Sequence, residues 1–144
     1  MSLSNVFDIA GSAMSAQTVR LNTTASNMAN AESVSSSEGE TYRARKPVFE
    51  LRPQDDFQPG SQPLGVQAGQ GVNIADIVES DAPLRQEYNP DHPMADENGY
   101  VFYPNVNVVE EMADMISASR SFQINAEIMN TAKQMMQRAL TLGQ

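Results

Sequence analysis

Residues 108–142 read VVEEMADMISASRSFQINAEIMNTAKQMMQRALTL, a stretch with neither proline nor glycine. A seam with alternating four- and three-residue spacing runs through Val108, Met112, Met115, Phe122, Ala126, Met129, Met136 and Leu140, with Ser119 and Lys133 as its weak positions. That period predicts an amphipathic helix with a coiled-coil-like seam. A second stripe through Ile116, Ile124, Ile128, Met135 and Leu142 widens the apolar face beyond what one neighbour covers. Asn107 followed by Glu110 resembles a capping box, and Glu110 and Glu111 suit the positive end of the helix dipole. Lys133 and Arg138 suit the other end, where Gly143 can close the helix. At ~1.5 Å per residue the helix is on the order of 50 Å long.

The opposite end of the chain carries a matching signal. From about Leu3 to Asn30 the residues Leu3, Phe7, Ala10, Met14, Leu21 and Met28 keep the same spacing, with Gln17 and Thr24 at the weak positions. Ser2 or Ser4 can cap the start, and Asn30 suits a left-handed terminal residue. All 8 prolines lie between Pro47 and Pro104, and most glycines lie between Gly39 and Gly99. The breakers thus divide the chain into helix, β-rich insert, helix: residues 1–31, 32–106 and 107–144. The predicted fold class is α+β, with the two long terminal helices paired as a coiled-coil-like layer. Within the insert, Ser33–Gly39 reads as a flexible linker and 54–71 as loop. Residues 41–51, 72–79 and 84–88 read as short strands, and Asn98-Gly99 before Tyr100–Tyr103 is a hairpin-turn signal.

The chain has 144 residues, 40% hydrophobic and 6% aromatic, enough for a modest core. Its 9 Lys+Arg against 18 Asp+Glu give a net charge of -9, which argues against nucleic acid and polybasic membrane contacts as partners. Twelve acids and five bases fall in residues 33–107, so the insert carries most of that charge. With no cysteine, disulfides, zinc-thiolate sites and cysteine nucleophiles are excluded. No apolar run approaches ~20 residues, so direct membrane insertion is not expected. The N-terminal stretch lacks the basic start and continuous apolar run of a secretory signal, so any export would leave it uncleaved.

The surface of the first helix is unusual. Its only charged residues are Asp8 and Arg20, and elsewhere it shows Ser, Asn, Thr and Gln. These are mediocre helix formers, but they desolvate at far lower cost than charges. Such a helix is marginal alone and suited to burial around most of its circumference. Leftover apolar surface on an asymmetric protomer makes heterologous contacts, which close into rings or continue as tubes.

No residue set points to catalysis. His92, the sole histidine, stands between Pro90 and Pro93 with Asp91 and Asp96 nearby. A general base needs a nucleophile or substrate pocket, and no such motif accompanies it, so a backbone-bonded turn residue is expected. Glu110, Glu111 and Asp114 lack the further ligands of a metal site. Gly69-Gln70-Gly71 lacks the Lys-Ser/Thr of a phosphate loop. Arg43, Arg45 and Lys46 form the one basic cluster and suit rim salt bridges. The nine methionines at helical spacing suit adaptable seam packing. No cofactor, catalytic residue or metal ligand is assigned.

Three stretches together resemble the bacterial flagellar axial proteins. Thr24-Ala-Ser-Asn27-Met-Ala-Asn30-Ala is similar to the N-terminal signature of rod and hook proteins. Asn107 to Phe122, with Asn125 and Thr131 to Met135, is similar to their C-terminal helix, although Phe122 stands where the family often has Tyr. Tyr88-Asn-Pro-Asp-His92-Pro-Met-Ala-Asp96-Glu-Asn-Gly99-Tyr-Val101, leading into Asn107, resembles the short proximal rod members, another short axial component being the alternative. The resemblance implies a structural subunit of the proximal rod, with the helices in an inner tubular layer, the insert outside, and motor torque passing through the tube. It implies export through the flagellar type III apparatus and assembly in the periplasm. The implied partners are copies of itself, other rod proteins and membrane-ring or adaptor proteins. On this reading Leu3, Phe7, Met14, Leu21, Met28, Met112, Met115, Phe122, Met129 and Met136 pack between subunits. Asn27, Asn30, Asn107 and Asn125 supply hydrogen bonds within and between them.

Overall fold

Helix α1 spans Leu3–Asn30 and helix α2 spans Val108–Leu142, the limits that the confinement of breakers to the middle implies. The structure, a computed structural model, describes residues 3–52 and 71–142; of Leu3, Ser4 and Leu142 only the backbone is described. The expected Ser2 cap, the Gly143 closure and nearly all of the 54–71 loop lie outside the described residues.

The helices pair antiparallel over most of their length. Near one end Asn27 and Arg20 of α1 meet Glu111 and Asp114 of α2; near the other, Val6 faces Ile128 to Met135. The side chains buried along this contact are small. Ala10, Thr24 and Asn27 come from α1, and Ala118, Ala132 and Glu111 from α2, while Ala16 is buried toward Val72, Asn73 and Ile74 of the insert. The buried line of α2 runs through Glu111, Ala118 and Ala132, a residue to the N-terminal side of the seam at Met112, Ser119 and Lys133. Alanine and threonine let two backbones approach closely. The larger methionines and isoleucines are displaced to the flanks.

The insert forms two separate two-stranded antiparallel sheets. Strands β1 (Arg45–Leu51) and β2 (Val72–Glu79) pair from Arg45↔Glu79 to Leu51↔Val72, with a bulge between Val48 and Phe49. This ribbon lies on α1, where the Ser12 hydroxyl accepts the Val72 amide at 3.1 Å. Gly71 must be small there, because a Cβ would run into Ser12 Oγ. Pro47 lacks a donor and is tolerated because β1 is an edge strand.

Strands β3 (Arg85–Tyr88) and β4 (Tyr100–Tyr103) pair from Arg85↔Tyr103 to Tyr88↔Tyr100. Their connection differs from the two-residue hairpin that Asn98-Gly99 signals. It runs from Asn89 to Gly99, closed by Asn89 N–H to Gly99 O at 2.9 Å. Gly99 has φ 83°, so the turn residue takes the left-handed conformation, in a longer loop. A Cβ there would stand 2.9 Å from Tyr88 Cε2.

Two further expectations are corrected. Asn30 is not left-handed, since no described non-glycine residue has positive φ. The helix end closes instead through tight turns: the Ser33 amide and hydroxyl both donate to Asn30 O, at 3.0 and 2.8 Å. Ser33–Gly39 is not a free linker. Ser35 exchanges two backbone bonds of 3.1 Å with Phe102, which docks the segment on the outer edge of β4. The Thr41 hydroxyl fastens it further by donating to Ser37 O.

Candidate assembly surface

Two side-chain amides join the parts of the protomer. Asn27, 1% exposed, uses all of its hydrogen-bonding capacity. Its Nδ2 donates to Arg45 O at 2.8 Å and to Glu111 Oε1 at 3.0 Å. Its Oδ1 accepts the Arg45 amide and the Tyr42 hydroxyl, each at 2.9 Å. One residue of α1 therefore holds the start of β1 and the first turn of α2. A fully satisfied buried amide specifies a register that apolar contacts alone would leave loose. Asn105 acts similarly just before α2. Its Oδ1 accepts the Ala44 amide at 2.8 Å, and its Nδ2 donates to Ser80 O and Ala82 O.

Charge pairs ring this junction. Arg20 Nη2 and Asp114 Oδ1 lie 2.6 Å apart between the helices. Arg43 pairs with Glu38, Arg45 with Glu79 and Lys46 with Glu110, so the basic cluster does form salt bridges. The hydrogen bond that Lys46 Nζ donates to Glu110 Oε1 raises the Lys46 pKa above its ordinary 10.5. Because Glu110 faces Lys46, only the asparagine half of the anticipated capping box forms. Asn107 Oδ1 accepts the amides of Val109 at 3.1 Å and Glu110 at 3.4 Å.

The other predicted asparagines bond to their own helices. Asn30 Nδ2 donates to Ser26 O and Asn125 Nδ2 to Ser121 O, both at 2.8 Å. Thr18 and Thr23 likewise return their hydroxyls to the carbonyls of Met14 and Val19. This local bonding makes a charge-poor helix surface compatible with burial. Gln17 is the exception: its Oε1 is buried without a partner.

The predicted packing residues divide by exposure. Phe7, Met14, Leu21, Met28, Met115 and Met129 are partly buried in the protomer. Met112, Phe122 and Met136 are exposed, and the Leu3 side chain lies outside the described residues. Val109, Ile116, Ile124, Ile128, Met135 and Leu140 are also exposed, and Val109, Ile116 and Leu140 by about two thirds or more. The flank of α2 at Ile124, Ile128 and Met135 forms a shallow groove with Val6. The protomer exposes 10228 Å², against about 7,300 Å² for a compact chain of its mass.

Reasoning from sequence missed Asn105, Glu111, Tyr42 and the alanines Ala16, Ala118 and Ala132. Alanine carries little weight in a hydrophobic pattern, and nothing in Asn105 itself announces a bond to a residue sixty positions away. His92 is a turn residue. Its Nδ1 accepts the Met94 amide at 3.1 Å, which occupies the lone pair a general base needs. Asp96 Oδ1 accepts the amides of Asn98 and Tyr100, each at 2.8 Å, and these bonds hold its carboxyl below its ordinary pKa. Among the described residues no group of acidic and histidine side chains gathers as a metal site, and no helix is long and apolar enough to cross a membrane.

Comparison with known proteins accords with this architecture. Residues 7–34 match the family described as flagella basal body rod protein. Residues 97–142 match the C-terminal family of the flagellar basal body rod FlgEFG proteins. The flagellar basal-body rod protein FlgC of Salmonella typhimurium is 52% identical over 144 residues, covering all of both chains. The FlgC protein of Yersinia enterocolitica is 50% identical over the same span. That of Borreliella burgdorferi is 36% identical over 151 residues, covering all of this chain and 99% of its own. The chain belongs to the FlgC family of flagellar basal-body rod proteins.

Proposed function

We propose that the chain is a structural, non-enzymatic subunit of the proximal part of the flagellar rod. The observation that carries this reading is the exposed apolar face of α2, from Val109 to Leu140, on a chain of a rod-protein family. A lone soluble helix would not keep so many large apolar side chains in water. In the rod, α1 and α2 form a coiled-coil-like inner layer, and the insert stands outside it. The units 1–31, 32–106 and 107–144 thus take different places in one tube. Met112, Phe122 and Met136 pack against neighbouring subunits, while Phe7, Met14, Leu21, Met28, Met115 and Met129 serve both the protomer and its neighbours. The seam also continues through Leu3. Asn30, Asn107 and Asn125 bond across subunits with the polar atoms their own helices leave free. Neighbours are copies of this chain, other rod proteins and ring or adaptor proteins. The chain reaches the periplasm through the flagellar type III apparatus with its N-terminus uncut, and marginal helices that consolidate on docking suit that route.

The test is complementation. A strain lacking the corresponding rod gene swims again with this chain, whereas a strain lacking a different short rod protein does not. Met112→Asp and Phe122→Asp leave synthesis intact and abolish swimming. Normal swimming by both variants would overturn the proposal.

A further inference from the structure

Only one asparagine of the chain, Asn98, precedes a glycine; each of the others precedes alanine, methionine, proline or a β-branched residue. The difference is chemical. Glycine has no Cβ, so nothing obstructs its backbone nitrogen from reaching the carboxamide of the asparagine before it. Once the Gly99 nitrogen loses its proton, it bonds to Asn98 Cγ and closes a five-membered succinimide. The Cγ–Nδ2 bond breaks, and Nδ2 leaves as ammonia, taking up a proton in place of the one Gly99 gave up. Water then opens the ring at either carbonyl and leaves aspartate or isoaspartate at 98. Water is the only co-reactant.

The folded loop opposes this reaction at the atoms involved. Asn98 is exposed, so its carboxamide is open to water, but Gly99 is buried. The Gly99 amide donates to Asp96 O at 3.0 Å, which holds the proton that must leave. The amides on either side are pinned as well. Asn98 N–H and Tyr100 N–H both donate to Asp96 Oδ1, each at 2.8 Å. Gly99 O accepts the Asn89 amide at 2.9 Å, and the Asp96 amide donates to Tyr100 O at 2.8 Å. Ring closure needs the peptide plane between Asn98 and Gly99 to turn toward the Asn98 side chain, and that turn breaks these bonds. The ionised Asp96 carboxylate also disfavours a second negative charge on the nearby Gly99 nitrogen. Disorder of the loop removes every one of these restraints. Reaction then makes the disorder permanent, because isoaspartate adds a backbone carbon between residues 98 and 99 and a new carboxylate beside Asp96 and Glu97.

We propose that Asn98 is a site of spontaneous deamidation that the loop around Asp96 suppresses: the chain is modified there while unfolded and protected once β3–β4 has formed. A chain that stays unfolded for long is marked irreversibly, and the mark falls on the connection that closes β3 on β4. The inference concerns the chain's own chemistry and does not rest on the rod-subunit reading.

The test incubates the purified full-length chain at mildly alkaline pH, folded and in concentrated urea. Mass spectrometry follows the gain of one mass unit in the peptide that contains Asn98. Conversion in urea should outrun conversion in the folded chain by about tenfold or more, a ratio set by how seldom the loop opens. In urea, Gly99→Ala should slow the reaction severalfold, the signature of the succinimide route. In the folded chain, Asp96→Ala should bring the rate toward that in urea, whereas Asp96→Asn, which keeps an acceptor oxygen, should stay near the wild type. Far-UV circular dichroism checks that both variants retain the helices. Equal wild-type rates with and without urea overturn the proposal, whatever the variants do. An Asp96→Ala chain with intact helices that converts no faster than the wild type overturns it too. Returned to buffer, the deamidated chain should regain its helices and lack the Tyr100 amide resonance of the closed loop; an isoaspartate form that shows this resonance overturns the irreversible mark. Complementation of swimming remains a separate test, since failure of the rod reading leaves these conversion rates unchanged.

Discussion

The protomer rests on a few polar side chains whose loss can be measured singly. Asn27→Ala strands the Arg45 amide and one oxygen of the buried Glu111, and leaves the Tyr42 hydroxyl with Ser26 Oγ alone at 3.3 Å. An expected loss of about 2–3 kcal/mol follows from leaving buried groups unpaired, and urea denaturation of the purified chain would register it. Gln17→Met works in the opposite direction. It removes the buried, unpartnered Oε1 while keeping most of the side-chain volume, so the stability should rise by about 1 kcal/mol. Gly99→Ala forces a Cβ into the left-handed region and against Tyr88, at a cost of about 1–3 kcal/mol confined to β3–β4. Amide exchange should quicken at Asn89 and Tyr100 and not in α2. Asp96 supplies a pH dependence with a definite sign. Its carboxyl is depressed in the folded state by the amides it accepts, so its ordering of the loop is complete above the ordinary carboxylate value of 3.8. The contribution is lost as the pH falls below that value and through the lower folded one. The Tyr100 amide resonance should therefore hold steady from neutral pH to about 4 and shift only below it.

Between elements, what was legible in the sequence depended on whether the signal was local. The helix limits follow from the breakers, and β2 and β4 begin and end where alternation and turn residues place them. Which stripe of α2 meets α1 is not a local property. Apolar residues surround more than one side of that helix, and the contact goes to Ala118 and Ala132 because close approach favours the smallest side chains. The docking of Ser33–Gly39 on β4 was hidden for the same reason, since a serine-rich segment pairs through its backbone and leaves no side-chain pattern. The assignment of faces can be tested directly. Ala118→Leu, at a position with 0% exposure, should overpack the helical pair and cost about 1–3 kcal/mol in the isolated chain. Ile116→Ala, at 68% exposure, should leave that stability within about 0.5 kcal/mol while reducing swimming. If Ile116→Ala instead destabilised the monomer as strongly as Ala118→Leu, the division between inner and outer faces would be wrong.

The whole molecule is a long helical pair with the β1–β2 ribbon laid along α1 as far as Ser12 and the β3–β4 sheet packed on neither helix, an arrangement that fits a rod subunit better than a free globule. Sedimentation should give a frictional ratio above that of a compact protein of 15.7 kDa, in keeping with the surplus surface. The fastening has a mechanical consequence. The insert joins the helices by two covalent strands, after Asn30 and before Val108, and also through the amides of Asn27 and Asn105, which grip the adjacent residues Arg45 and Ala44. A sideways load on the insert is therefore shared among several bonds strained together, whereas a hairpin peeled from its tip breaks them one after another. In a turning shaft this junction acts as a stiff bracket. On the proposed placement of the helices inside the rod, rotation of the helical layer carries the start of β1 with it without lag.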